Sequence, residues 1–501
     1  MRWQVGDESL RTLRHPSRQP RLIAALVLWG MTPAFGQQDA DVVRRLERQL
    51  REFDSMYRLA IPSDQPIAER LLLDFGGTYR FGFYAIDAPS GETRILRQSD
   101  ARLYLRAELD GAHRFFGRLR FLYNDWNGGD SFDGRGDELA DPIGERYWYQ
   151  FDLRGAIRAD RGEHVPYNVN IKAGKQFVTW GSGLTLSHAL YAGLLNVELA
   201  DFGLIGLVGM TPSGDTVDFD GSRPGFDTDT DRVFFGGALE YRRSANHRPY
   251  VFLLAQRDHN DRDFAMFASP FGAIPTRFNY DSTYLGAGSR GSVGANLRYR
   301  VEIVHEFGKG LSNSFDTTTG LAVSQTIEDI DAWAGLLGLS YLLRDEADSR
   351  IDLEVIGGSG DEDRIDSADT FGGNRSRTDD HAFNSLGYVN TGLALAPEPS
   401  NLLALRLGFS TSPLKGVKGF DKVRAGVSGF LFAKIDEDAP LNINTTASTF
   451  LGGEIDLFLD WRITSDLNAH VRYGVFLPGN AIPSGEDDPR HFLYAGLGYA
   501  F

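Results

Sequence analysis

The residues with the clearest chemical potential here are arginines an even number of residues apart in segments that alternate polar and apolar. Arg102 and Arg106, Arg118 and Arg120, and Arg146, Arg154 and Arg158 follow that spacing, and Arg80 and Lys172 sit at equivalent positions. Residues two apart in an extended chain share one face. On the polar faces of the first five alternating segments these nine cations meet three acids, Asp74, Glu108 and Asp152. Arginine's planar fork takes a carboxylate bidentately, so a basic face of this kind suits an anionic solute. The plainer reading is a solvated wall whose charges pair across strands, as Arg106 and Glu108 would. Arg298 and Arg300 repeat the spacing in a later segment and extend the basic path. Later segments also carry Glu302, Asp352, Glu354, Glu454, Asp456 and Asp460, which predicts a polar surface with two electrostatic sides. Mixed contacts of that sort let a charged chain slide where uniform strong binding would stall it.

Other chemistries find little support. The chain has 501 residues and no cysteine, which removes thiol catalysis, disulfides and cysteine–zinc clusters. Ser187 precedes His188, and His305 precedes Glu306, but ten scattered histidines form no triad pattern, so no enzyme is expected. No cofactor is expected either. The acidic runs at 227–231 (DTDTD) and 361–366 (DEDRID) lack the ligand spacing of a calcium loop and read as solvated loops. A formal charge of −16 without a basic domain argues against nucleic acid.

The elements that position these residues have period two almost throughout. Arg102, Tyr104, Arg106 and Glu108 interleave with Leu103, Leu105, Ala107 and Leu109, and Asn468, His470 and Arg472 with Ala469, Val471 and Tyr473. Segments of about 10–15 residues with one apolar, aromatic-rich face and one charged face have the length of tilted transmembrane strands. Short turns at Asp110-Gly111, Ala245-Asn246, Asp345-Glu346 and Ser465-Asp466 alternate with long loops near 125–145, 212–231, 258–280, 307–329 and 358–401. That alternation is the mark of an outer-membrane barrel with its short turns in the periplasm. The expectation is an all-β, antiparallel transmembrane barrel of about 18 strands over 70–501. Residues 384–395 look like a nineteenth strand, but an even count places them in an outer loop. One strand is expected over 145–158, and others over 193–200 and 203–212. Leu493, Ala495, Leu497, Tyr499 and the terminal Phe501 alternate as a closing strand should. Residues 1–36 read as a signal peptide: Arg11, Arg14, Arg18 and Arg21 precede the apolar stretch 22–31, and Ala34-Phe35-Gly36 supplies the small residues of a cleavage site. Residues 1–36 carry five Arg against Asp7 and Glu8, so the remainder would hold −19. Val43, Leu46, Leu50, Phe53 and Tyr57 predict a short periplasmic helix within 37–69 that docks on the barrel, pairs with another copy or meets a periplasmic partner.

Three segments resemble the alginate export family of outer-membrane porins: 171–184 (IKAGKQFVTWGSGL), 388–408 (YVNTGLALAPEPSNLLALRLG) and 450–479 (FLGGEIDLFLDWRITSDLNAHVRYGVFLPG). The last is the most specific. It joins a Gly-Glu-Ile-Asp-Leu strand, a Ser-Asp-Leu turn and a strand ending in Pro-Gly. The resemblance implies a monomeric barrel that passes an anionic, uronate-type polysaccharide outward through an arginine-lined constriction. Its partners would be that polymer, outer-membrane lipid and lipopolysaccharide, and periplasmic secretion components. Lys175, in the glycine-basic-glutamine stretch where arginine is the family's residue, joins the expected path without the bidentate fork. The turn at Ser465-Asp466 is too short for a periplasmic plug. A general or small-solute porin is the alternative, ahead of a barrel-embedded enzyme or an adhesin.

Overall fold

The computed structural model describes residues 71–501, apart from 133, 135, 215, 222, 245, 261–263, 270–271, 317–318, 320 and 365–372 in the connections. The expected signal peptide and the helix within 37–69 lie outside the described residues. Eighteen long strands follow one another. They are β1 (Leu71–Asp87), β2 (Thr93–Leu109), β3 (His113–Trp126), β4 (Ile143–Asp152), β5 (Asn168–Trp180) and β6 (Leu186–Leu199). Next come β7 (Phe202–Met210), β8 (Arg232–Tyr241), β9 (His247–Asp258), β10 (Tyr280–Val293), β11 (Leu297–Leu311) and β12 (Ile327–Leu342). The last are β13 (Arg350–Gly358), β14 (Leu402–Thr411), β15 (Val423–Lys434), β16 (Phe450–Arg462), β17 (Leu467–Pro478) and β18 (Arg490–Ala500). Each pairs antiparallel with the next, and β18 returns to β1 in register from Thr78↔Ala500 to Ile86↔Phe492. Closure leaves no strand edge for lipid to meet.

Alternation fixes which face is inside. On β2, Leu103 and Leu105 are 45% and 55% exposed, whereas Asp100 and Arg102 are 2% and 8% exposed. The exposed set continues around the outside in Phe115, Leu119, Leu285, Ile303, Leu405, Leu457 and Leu497, an apolar band for the membrane. Connections at one end are short, among them 110–112, 200–201, 294–296 and 463–466, and both Leu71 and Phe501 lie at that end. The opposite end carries the long loops 127–142, 211–231, 259–279, 312–326, 359–401 and 435–449. The short end is therefore the periplasmic one. Residues 384–395 form no strand and belong to the loop 359–401, as the even count requires.

One strand ends early. The segment expected as strand 145–158 stops at Asp152, and Leu153–Arg161 form a helix, α1. Asp152 caps it, accepting from the Gly155 N–H at 2.7 Å, and Gly162 ends it in the left-handed region at φ 68°. A strand pattern two residues in period cannot reveal a cap that interrupts it. The segments 193–200 and 203–212 likewise extend and shorten: β6 begins already at Leu186 and β7 ends at Met210.

The loop 211–231 folds back onto the barrel and is held by a buried ion cluster. Asp218 lies 2.9 Å from Arg232 Nε and 3.5 Å from Arg223 Nε, with all three side chains sealed from solvent. Arg232 stacks over Phe219 at 4.2 Å, and Phe219 packs edge-on against Tyr280. Burial alone would raise the Asp218 carboxyl, but Arg232 and Arg223 outweigh it and hold it at about 2, below the ordinary 3.8. A folded-state pKa below the unfolded value gives stability that is complete above the unfolded pKa and lost as pH falls through the folded one. Amide exchange at Asp218, which donates to Phe226 O at 2.7 Å, and at Asp229, which donates to Gly225 O at 2.7 Å, should thus stay slow from pH 7 to about 4 after correction for intrinsic rates. Exchange should accelerate as pH falls toward 2, and Asp218→Asn should exchange fast throughout. Slow exchange in that variant at pH 7 would remove the ion cluster from the explanation.

The seam has its own constraint. Gly77 and Phe501 exchange backbone hydrogen bonds of 2.8 and 3.0 Å, and a Cβ on Gly77 would stand 2.6 Å from the Phe501 ring and 2.8 Å from the Arg102 carbonyl. Gly77→Val should therefore abolish most of the heat-modifiable folded band on cold SDS gels. Gly117→Val, where a Cβ meets nothing within 4 Å, should leave it intact.

Candidate functional site

Residues 383–395 of the loop 359–401 turn into the lumen. Ser187 donates its N–H to Leu386 O at 2.9 Å and Tyr388 donates to Gly183 O at 2.8 Å, joining the loop to β6 and to the connection before it. Wall carboxylates accept hydrogen bonds from the loop's backbone N–H groups. Glu306 accepts from Asn384 N at 2.8 Å, and Glu454 accepts from Leu393, Ala394 and Leu395 N at 2.5, 2.7 and 2.8 Å. Three successive N–H groups on one carboxylate form an anion nest. Gly392, at φ 97°, makes room, because a Cβ there would lie 2.6 Å from Glu454 Oε1. Phe383, Leu386, Leu393 and Leu395 then bury against inward Leu186, Leu190, Phe430, Phe432 and Phe476.

Beside this loop, β1–β4 carry a cluster of arginines. Arg102 stands directly opposite Arg120, and Arg118 opposite Arg146. Like charges in such rows destabilise a sheet, and two buried acids answer them. Asp100 Oδ2 accepts from Arg80 and Arg102 at 3.0 Å each and from Arg120 at 3.1 Å. Glu145 Oε2 lies 2.6 Å from Arg118 Nε and 3.7 Å from Arg102 Nε. Strict alternation would send Glu145 outward. The β3–β4 register slips there, pairing Arg118 with Arg146 and Leu119 with Gly144, and this bulge turns Glu145 inward. Five arginines thus share two acids. Nearer the periplasm, Glu108 serves Arg106 at 2.8 Å and Arg114 at 3.2 Å, and Tyr104, Phe116 and Trp148 stack along the wall.

Not every expected cation joins the cluster. Arg154 lies on α1 at the periplasmic rim, where it pairs with Glu198 at 2.9 Å, because Asp152 starts a helix where the strand pattern predicts continuation. Arg158, on the same helix, leaves the wall with it. Lys172 stacks over Trp148 at 4.1 Å on the inner face. Lys175 falls in the register row of Tyr147 and Tyr191, on the opposite face of β5 from Lys172, and is covered with its ammonium 5.8 Å from the Tyr191 ring. Arg298 and Arg300 face inward on β11, far along the sheet from the cluster, and Arg300 is ion-paired with Glu354. The Ser187–His188 and His305–Glu306 neighbours assemble no catalytic group among the described residues. His188 is buried with Nδ1 against Ala189 O, and His305 turns outward to Asp331 while Glu306 turns inward.

The acidic side expected on the later strands is largely committed. Glu302 accepts from Ser182 N and Oγ at 2.6 Å and from Tyr250 at 2.5 Å. Glu454 and Glu306 hold the loop, Asp352 meets Arg350 at 2.7 Å, and Asp460 meets His470 and Arg472 at 2.6 Å each. The same wall presents Arg406 and Arg424 toward a recess under Asn390 and Leu393. Those arginines alternate with inward Gly408, Ser410 and Ser428, a spacing visible in the sequence but outweighed there by the acids.

Solved structures of similar fold are Pseudomonas aeruginosa OccK5 (OpdH), OccK11 (OpdR) and OccK8 (OprE). OccK5 is 9% identical with a TM-score of 0.51, covering 87% of this chain and 99% of that one. OccK11 is 12% identical at 0.50 over 86% and 96%, and OccK8 11% identical at 0.50 over 86% and 98%. No curated protein matches the sequence. Family and fold are those of outer-membrane transport channels. Residues 211–495 match the alginate export family, more than half of the chain, and the protein belongs to that family.

Proposed function

We propose that this channel exports an anionic, uronate-type polysaccharide through the arginine cluster on β1–β4. The observation that carries the reading is the direct opposition of Arg102 to Arg120 and of Arg118 to Arg146, a concentration of positive charge gathered around Asp100 and Glu145. A wall built for stability alone would set acids opposite those arginines. Carboxylates of a passing polymer are attracted to this row of like charge, and the fork of a guanidinium can recognise them bidentately. Lys172 and the basic strip below extend the path toward the periplasm. The loop 359–401 narrows the lumen so that the polymer runs along this wall. Monomeric operation and periplasmic secretion partners come with the family reading.

Replacing Arg102, Arg106, Arg118 and Arg120 together by Glu should shift the reversal potential in planar bilayers from anion toward cation preference, and should abolish current block by polyuronate. An unmutated channel that already prefers cations, or that polyuronate never perturbs, would point instead to a general or small-solute porin.

The loop's role has a separate test. Glu454→Ala leaves three N–H groups without their acceptor, each an unmade bond of about 1–3 kcal/mol. Its channels should show larger, noisier conductance and weaker polymer block while the folded band on cold SDS gels persists. Glu454→Gln, which keeps one acceptor oxygen, should fall between. Wild-type conductance in Glu454→Ala would mean the loop does not narrow the path.

A further inference from the structure

A second basic feature lies on β14–β17, which only β18 separates from β1, and opens at the periplasmic end. It begins as a cavity of about 550 Å³ lined by Lys422, Arg424, Asp460, Arg462, Asn468 and His470. Arg424 and Asp460 also line a further chamber of about 260 Å³ that reaches Arg406 and ends beneath Asn390 and Leu393 of the lumen loop. The two chambers therefore form one recess running inward from the mouth. Its width comes from inward Gly408, Ser410 and Ser428, whose small side chains leave the space between the arginines empty.

The charges in this recess are unbalanced. Three acids line it: Asp460 is committed to His470 and Arg472, at 2.6 Å each, Asp352 to Arg350 at 2.7 Å, and Asp456 lies in the inner chamber, against six cations, Arg350, Arg406, Lys422, Arg424, Arg462 and Arg472. Arg424 Nη2 donates to Ser410 Oγ at 2.9 Å, a neutral partner. Glu354, which stands opposite Arg406 in the register, is ion-paired with Arg300 instead. Among the described residues no carboxylate lies within ion-pair distance of Lys422, Arg462, Arg424 or Arg406. Lys422 and Arg462 stand at the mouth and Arg406 stands deepest, so the four cations mark a line into the barrel.

We propose that this recess is a loading subsite that holds the carboxylate of a leading sugar residue before the polymer meets the arginine cluster on β1–β4. The inference rests on the export reading and adds where the polymer is first captured. Charges farther away than a Debye length, about 8 Å at physiological ionic strength, are screened, so a local basic mouth is what raises a polyanion's concentration at the entrance. Lys422 and Arg462 supply the first contact, and Arg424 and Arg406 the next ones inward. Because the recess opens on one face only, capture should be asymmetric.

The test is block of single channels of the full-length protein by short oligogalacturonate added separately to the periplasmic and outer faces, with a neutral oligosaccharide of equal length as control. Loss of one charge-assisted contact corresponds to about tenfold in affinity. Lys422→Ala/Arg462→Ala, which removes two such contacts, should weaken periplasmic-side block about a hundredfold and leave outer-side block unchanged, whereas the four-arginine replacement on β2 and β3 should remove block from both faces. Should the double variant fail to assemble, Lys422→Gln alone, at an exposed turn position, reads the same asymmetry at smaller amplitude. Unchanged periplasmic-side block in a folded variant, or equal block by the neutral sugar, overturns the loading subsite and leaves the export reading standing. No block of the wild-type channel from either face overturns both.

Discussion

Glu454 accepts three successive backbone N–H groups from a loop, and much of the interior follows from that contact. A chain that leaves a sheet and enters a lumen carries unpaired N–H and C=O groups, each of which needs a partner once water is excluded. The wall meets the donors with carboxylates, Glu454 at one end of the inward stretch and Glu306 at the other, while β6 supplies backbone groups. With its polar groups satisfied, the loop can bury Phe383, Leu386 and Leu395 against the inner face. The inner face consequently changes character along the barrel axis: apolar where the loop docks, charged below it. Side chains that would be core in a soluble sheet are core here too, but for a loop rather than for a second sheet.

That use of acids explains why the sequence was only half legible. Period-two alternation makes the strands, their faces and the alternating connections readable, because a bilayer outside and water inside impose opposite demands on successive residues. It also places Arg80, Arg102, Arg106, Arg118, Arg120 and Arg146 on one surface. Three things escape it. A bulge at Glu145 reverses one residue's face without changing composition. An N-cap at Asp152 turns a continuing pattern into a helix and carries Arg154 off the wall. Most important, counting acids on β11–β17 cannot say which of them are already engaged. Glu302, Glu306 and Glu454 accept hydrogen bonds from groups close in space but 52 to 120 residues away in sequence, a relation no local spacing encodes.

The two basic walls differ in how their charges are held. On β1–β4 the arginines are packed against Asp100 and Glu145, which fixes the guanidinium planes at the expense of mutual repulsion between opposed rows. A fixed, partly compensated cluster discriminates by geometry, since an incoming carboxylate must fit between forks already oriented. At the periplasmic mouth, Lys422, Arg424 and Arg462 have no carboxylate within ion-pair distance among the described residues. Such groups attract at a distance and bind loosely. Orientation on one wall and attraction on the other are complementary demands, and a polymer that must both enter and leave requires both.

Overall acidity does not oppose this arrangement. A surface charge separated from the lumen by more than a Debye length, about 8 Å at physiological ionic strength, contributes little to the potential there. The acidic run at 227–231 belongs to a loop at the outer end. The field met inside the barrel is set by the nearest side chains, and the low-dielectric wall behind them confines it to the lumen. On β1–β4 those neighbours are Arg80, Arg102, Arg118, Arg120 and Arg146 around two acids, and at the periplasmic mouth they are Lys422, Arg424 and Arg462. A protein can therefore be strongly acidic in sum and basic along its path. The residues that decide the path are the arginines set opposite one another and the mouth cations whose neighbouring acids pair with other groups.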